Sequence, residues 1–208
     1  MIELTEENLR IDENTYLRTA KVLDFIIKFL TVNIRLHAEN NIIEKSDIFL
    51  FNHFSRFETF VPQYLFANKA KIFCRTIAAA DFFDEGVLGS YLANIGAVPH
   101  NYPDIINFLA KEINRGIKII VFPEGAMIKD KSVMDKFGRF FVYSREKRSK
   151  RRPHTGAAVI SLRVESCRFL YHLALKKNDK DRIELYSRCF PEIEKSGVTP
   201  AHMRSTQI

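Results

Sequence analysis

Hydrophobic and polar positions along the chain change period several times, and each change marks an element. From Thr15 to His37 the apolar residues Leu17, Ala20, Leu23, Phe25, Ile26, Ile27, Phe29, Leu30, Ile34 and Leu36 recur at helical spacing and predict one amphipathic helix. Ser46 to Phe51 reads as a buried strand on its short apolar run, Ile48 to Phe51. Arg56 to Asn68 returns to helical spacing, with Pro62 as a possible kink. Lys71–Ala78, Ala97–Pro99 and Lys118–Phe122 read as strands. Between them, Gly86–Ile95 and Ile105–Asn114 read as helices closed by Gly96 and Gly116. A long helix is expected over Gly156–Leu175, and a last strand over Arg182–Phe190. This β-α-β-α alternation predicts an α/β fold with a mostly parallel central sheet flanked by helices, preceded by the amphipathic helix. Four regions follow: a mobile acidic leader over 1–14, the helix over 15–40, the α/β domain over 41–190, and an irregular tail over 191–208.

Composition narrows the class. The chain has 208 residues, 46% hydrophobic and 12% aromatic, so it can bury a core and is not a disordered tract. Its formal charge of +7 favours an anionic partner such as a membrane surface, a phosphorylated ligand or nucleic acid. Cys74, Cys167 and Cys189 are far apart and form no metal-type spacing, so no metal site is expected and reduced thiols are. No apolar run reaches the roughly 20 residues that span a bilayer, and no signal peptide is expected. The first helix carries Arg18, Lys21, Lys28 and Arg35 along one ridge. A wide apolar face beside a basic ridge suits a helix lying on anionic lipid, and it equally suits a core helix with a solvated edge. Ser144 to His154 is densely basic and reads as a loop, either simply solvated or facing lipid, phosphate or nucleic acid. No nucleic-acid-binding motif accompanies it, so no nucleic-acid partner is expected.

Candidate chemistry gathers at two strand ends, where α/β sheets place their ligands. The first strand runs into Asn52-His53-Phe54-Ser55-Arg56-Phe57-Glu58. His53, with Glu58 near it along the next helix, has the makings of a general base: the carboxylate holds one ring nitrogen while the other takes a proton. Ser55 and Glu58 also fit a capping box, a purely structural reading. The third long strand runs into Phe122-Pro123-Glu124-Gly125. Glu124 is suited either to hold loop amides or to touch substrate, and Gly125 permits close backbone approach.

Taken together, the two motifs resemble the glycerophospholipid acyltransferase family, which includes the 1-acyl-glycerol-3-phosphate acyltransferases and carries N-H-x-S-x-x-D followed by F-P-E-G-T-R. The likeness covers about Ser46 to Leu162, with the small residues after Thr155 similar to those that follow the second family motif. It implies transfer of a fatty acyl group from an acyl thioester, acyl-CoA or acyl-carrier protein, to a hydroxyl of a glycerol-phosphate or lysophospholipid-type acceptor. On that footing His53 is the base and Glu58 orients it. Asn52, Ser55, Arg56, Pro123, Glu124, Gly125 and Lys129 contact substrate, and no cofactor beyond the thioester is needed. The implied location is peripheral, on the inner face of a membrane with anionic lipid. Three departures stand out. The family Asp is Glu58 here, the Thr and Arg after Pro-Glu-Gly are Ala126 and Met127, and no arginine follows Gly96 at the family spacing. A late Val-Pro strand is also missing, so the chain is expected to be truncated or divergent in its last quarter. The alternative function is therefore a weak or inactive relative that binds anionic membranes.

Overall fold

The computed structural model describes residues 5–34, 42–52, 60–84, 86–124, 136–139, 141–144, 149–152, 154–190 and 193–196. Helix α1 spans Glu13–Phe29. It starts where it does because Asp12 Oδ1 accepts the amide of Thr15 at 2.7 Å, a side-chain cap. It ends eight residues before His37. Thr31 adopts φ 55°, its amide bonds Lys28 O, and the amide of Val32 bonds Ile27 O. This pair of reversed bonds is a Schellman closure, and it terminates the helix although apolar residues continue. Of the mobile leader that the sequence suggests over 1–14, the described residues 5–12 are instead tied to the core. Leu9 is 1% exposed in the core, its carbonyl accepts from Arg75, and the amide of Asp12 bonds Asn94 O.

Beyond α1 the order is α2 (Ile42–Lys45), β1 (Ile48–Leu50), α3 (Phe60–Leu65), β2 (Cys74–Ala78), α4 (Gly86–Asn94), β3 (Ala97–Pro99), α5 (Ile105–Asn114) and β4 (Lys118–Val121). Then come β5 (Val142–Ser144), β6 (Ser149–Arg151), α6 (Gly156–Lys177) and α7 (Lys180–Cys189). Pro62 lies inside α3, and the chain runs on from Leu65 as a π-helical turn, Phe66–Ala70. Strands β1 to β4 form one parallel sheet in the order β1-β4-β2-β3.

Side chains alternate across the strands and so divide the core in two. On one face Ile48, Val98, Ile119 and Val121 meet Phe108, Leu109 and Ile113 of α5 and Ile160 and Val164 of α6. On the other, Phe49, Cys74 and Ile120 meet Tyr16 and Ala20 of α1 together with Leu65 and Phe66. The result is the expected α/β sandwich. Each fully buried aliphatic side chain contributes about 1.5–3 kcal/mol of burial.

Two segments differ from the sequence reading. Residues 182–190 alternate charged and apolar and suggest a strand, yet they form α7. Asp179 caps it through the amide of Arg182, and Ile183, Tyr186 and Cys189 pack on the first core at helical spacing. The basic stretch expected as a loop contributes instead to an antiparallel hairpin, pairing Val142 with Arg151, Tyr143 with Lys150 and Ser144 with Ser149. Opposite strands satisfy their backbone groups in pairs, which a charged loop cannot do internally.

Candidate active site

The sheet order decides what meets what. β4 lies between β1 and β2, so the first and last of the four parallel strands are neighbours. Their register is Ile48 with Ile119, Phe49 with Ile120 and Leu50 with Val121. Past the strand end the amide of Phe51 still donates to Val121 O at 3.0 Å. The Phe51 and Phe122 rings lie 6.3 Å apart. Asn52, which is exposed, and Pro123, which is half-buried, therefore leave the sheet side by side. Neighbouring strands are about 4.8 Å apart, which sets the scale of their separation. Glu124 is only 1% exposed, so its carboxylate lies beneath the surface. His53, Ser55, Arg56, Glu58, Gly125 and Lys129 lie outside the described residues.

Helix α6 is fixed to the same end of the sheet. The amide of His154 donates to Pro123 O at 2.7 Å, and α6 begins two residues later with Thr155 as its N-cap. Twelve residues on, about 18 Å along a helix, Arg168 reaches Asp47 at the entry to β1, Nη1 to Oδ2 3.6 Å. Lys118, at the start of β4, approaches the same carboxylate at 3.5 Å. α6 thus runs against the strands and points its N-terminus, with its free amides and positive dipole end, towards the strand carboxyl ends. Sequence reasoning did not find the bond between residues 123 and 154. Its cue, Pro153-His154-Thr155-Gly156, announces a helix start and not the partner to which that start is tied.

His100 stands on the carboxyl side of the sheet. It follows β3, and its Nδ1 accepts the amide of Ala80 at 3.2 Å. In the neutral ring that leaves the proton on Nε2, so His100 presents a donor where a base needs a lone pair. Its strand is also the far edge from β1. His172 sits in α6, and burial pushes its pKa down.

The structure brings Arg18, Lys21 and Lys28 to the surface of α1, with Arg35 outside the described residues. Lys28 is not an independent cation. Its Nζ lies 2.6 Å from Asp24 Oδ2, and Asp24 also accepts from Tyr64 OH at 3.0 Å. The Lys28–Asp24 contact holds the Asp24 carboxyl below its ordinary range and Lys28 above its own. Opposite the buried Tyr16 and Ala20, a row of Val22, Phe25, Ile26 and Phe29 stands in solvent, with Phe25 and Phe29 70% and 76% exposed. Their spacing of three and four places them on one stripe. Among the described residues no helix is long and apolar enough to cross a membrane, and no cluster of metal-ligating side chains occurs.

A family model described as Acyltransferase matches residues 33–167, well over half of the chain. The chain belongs to this acyltransferase family, the glycerophospholipid acyltransferases. The match takes in β1, β4, both strand-end motifs and the first half of α6. No curated protein and no solved structure matches the chain. In this acyltransferase the two motifs are separated by some seventy residues of sequence, and strand order makes them neighbours.

Proposed function

We propose that the protein transfers a fatty acyl group from an acyl thioester, acyl-CoA or acyl-carrier protein, to a hydroxyl of a glycerol-phosphate or lysophospholipid-type acceptor. The observation that carries this reading is the pairing of β1 with β4, which sets Asn52 beside Pro123 and so brings the two motifs to one place. His53 takes the proton from the acceptor hydroxyl as that oxygen attacks the thioester carbonyl. Glu58 holds the imidazole tautomer and stabilises the imidazolium that forms. The thiolate leaves, and His53 returns the proton to it. Asn52, Ser55, Arg56, Pro123, Gly125 and Lys129 line the approach, and no enzyme-bound acyl group is required. The exposed stripe of α1, with Arg18 and Lys21 beside it, supports peripheral attachment to anionic lipid on the inner face of a membrane, where acceptor and product reside.

The test is thiol release from acyl-CoA, and then from acyl-carrier protein, with glycerol 3-phosphate, lysophosphatidate, other lysophospholipids and unphosphorylated alcohols as acceptors. Acceptor-dependent release that falls about a hundred- to ten-thousand-fold in His53→Ala supports the mechanism. Undiminished release in that variant removes His53 as the base. Vesicle binding without release by either donor identifies the second reading, a membrane-binding relative that has lost the reaction.

A further inference from the structure

Helix α4 turns apolar side chains to solvent. It contains no charged residue, and Val87, in its first turn, is 89% exposed, with Leu88 and Tyr91 also outside the core. In the turn that leads into it, Ala80–Phe83, Phe82 is half-exposed while Phe83 is buried. Two contacts fix this patch against α1. The amide of Asp12 donates to Asn94 O, and Thr19 Oγ1 and Tyr91 OH share a hydrogen bond at 3.0 Å. Residue numbers rise along α1 as they fall along α4, so the two helices are antiparallel. Three residues beyond the Thr19–Tyr91 bond, Val22 comes level with Leu88, and the exposed apolar rows of the two helices adjoin.

The sheet sets the level of this surface. α4 joins the parallel strands β2 and β3, so it runs against them and starts at their carboxyl ends. α1 therefore runs with them. Tyr16 is bonded to Cys74, the first residue of β2. From Cys74 the strand advances about 13 Å to Ala78, and from Tyr16 the helix advances about 14 Å to Phe25. With Ile26 and Phe29 further on, this half of α1 reaches the carboxyl end of the sheet, where Asn52 and Pro123 leave it. We propose that α1 and α4 form one lipid-docking surface, on which the protein stands end-on, with Phe82, Val87 and Leu88 entering the same leaflet as Phe25 and Phe29. The strand ends that carry the two motifs then face the membrane. The inference rests on the peripheral reading of α1 and adds a second contact and an orientation to it. So exposed a Val87 is a tip and lines no groove, which suits fluid acyl chains better than the fixed side chains of a protein partner. Asp81 and Asp84 stand exposed beside α4, so its contact is apolar, and anionic headgroups are met by Arg18 and Lys21 of α1.

The chain contains no tryptophan, so a single introduced one reports its own surroundings. Phe25→Trp, Val87→Trp and Leu162→Trp are each titrated, in the full chain, with vesicles of phosphatidylcholine and phosphatidylglycerol, with and without lipid brominated on its acyl chains. Leu162 is the control: it is exposed as well, but on α6, which packs on the sheet face opposite α1. Blue-shifted emission quenched by brominated lipid is expected at positions 25 and 87 and not at 162. Val87→Ser with Leu88→Ser is expected to weaken binding about tenfold or more, on neutral and anionic vesicles alike. Quenching at 25 without quenching at 87 overturns the proposal and leaves the peripheral reading of α1 intact. Equal quenching at all three positions overturns it too, because the protein then has no fixed orientation. Failure to bind either kind of vesicle overturns this proposal and the peripheral reading together. None of these outcomes depends on turnover, so the acyl-transfer reading stands or falls by its own assay.

Discussion

Glu112 is a buried carboxylate held by two arginines. It faces Arg75 through Nε and Nη2 at 2.7 and 2.6 Å and Arg115 at 2.8 Å. Arg75 in turn holds the carbonyl of Leu9 and lies 5.2 Å from the Phe108 ring. One ion pair so joins β2, α5 and the segment before α1. Arg75→Leu leaves a buried carboxylate with one half-exposed partner, and it is expected to cost about 3 kcal/mol, at the low end for broken buried pairs. Urea unfolding reads this directly, and a loss below about 1 kcal/mol would show the pair to be dispensable. Beside it, Tyr16 OH and Cys74 Sγ share a buried hydrogen bond at 3.0 Å. Burial pushes the thiol up to about 12 from an ordinary 9.0, and it raises the phenol as well. Both groups favour the protonated, folded form. Their stabilisation is complete below pH 9, where the unfolded thiol is also protonated, and it is lost as pH climbs through 9 towards 12. Cys74→Ala should flatten the fall of the urea midpoint across that window, and an unchanged slope would assign the alkaline loss to other groups.

At the scale of elements, α1 combines an N-terminal half packed on the sheet with an exposed apolar stripe. If that stripe meets lipid, its two kinds of residue should separate by vesicle composition. Arg18→Glu with Lys21→Glu should cut binding to anionic vesicles at least tenfold, given about 1 kcal/mol per surface cation, and leave neutral vesicles unaffected. Phe25→Ser with Phe29→Ser should weaken both, and binding unaffected by either pair would leave α1 as a packing helix. Lys28 is a poor probe because a carboxylate placed there would face Asp24. The closure of α1 offers another test. Thr31 holds a positive φ that costs a β-branched residue about 1–2 kcal/mol, so Thr31→Gly should raise stability by about 0.5–1 kcal/mol after the entropy glycine loses. A decrease would mean the Thr31 side chain has a role that its strain conceals. These details also explain what the sequence made legible. β3 and β4 stand where they were read because Gly96 and Gly116, at φ 96° and 84°, stop α4 and α5 ahead of them. At Gly96 nothing larger fits, since a Cβ would sit 2.3 Å from Cys74 O. The end of α1 was misread because a threonine does the work usually left to glycine. The α7 segment was misread because Arg182-Ile183-Glu184-Leu185 opens on a two-residue period, while Ile183, Tyr186 and Cys189 keep a helical one. The motifs around His53 and Pro123 could be found by residue type, yet their adjacency could not, because pairing of β1 with β4 is a property of strand order.

Taken whole, the molecule has both cores closed by elements distant in sequence. Phe190 and Ile193 are buried at 4% and 1% exposure in the same cluster as Leu9 and Ile48. Ending the chain after Lys177 removes those side chains and α7, so the shortened protein should lose cooperative thermal unfolding. A sharp transition near that of the full chain would make α7 an accessory. The sheet order has a consequence in time as well as in space. β4 enters between two strands already made, so until residues 118–121 arrive β1 has no neighbour and β2 has only β3. A chain emerging from the ribosome can complete β2, β3 and the helices between them while β1 waits, because pairing across a long loop is slow and comes late. The same insertion that joins β1 to the sheet also lays Pro123 beside Asn52. Recovery of activity during refolding should therefore lag behind recovery of helix and follow the single step in which the sheet is bridged.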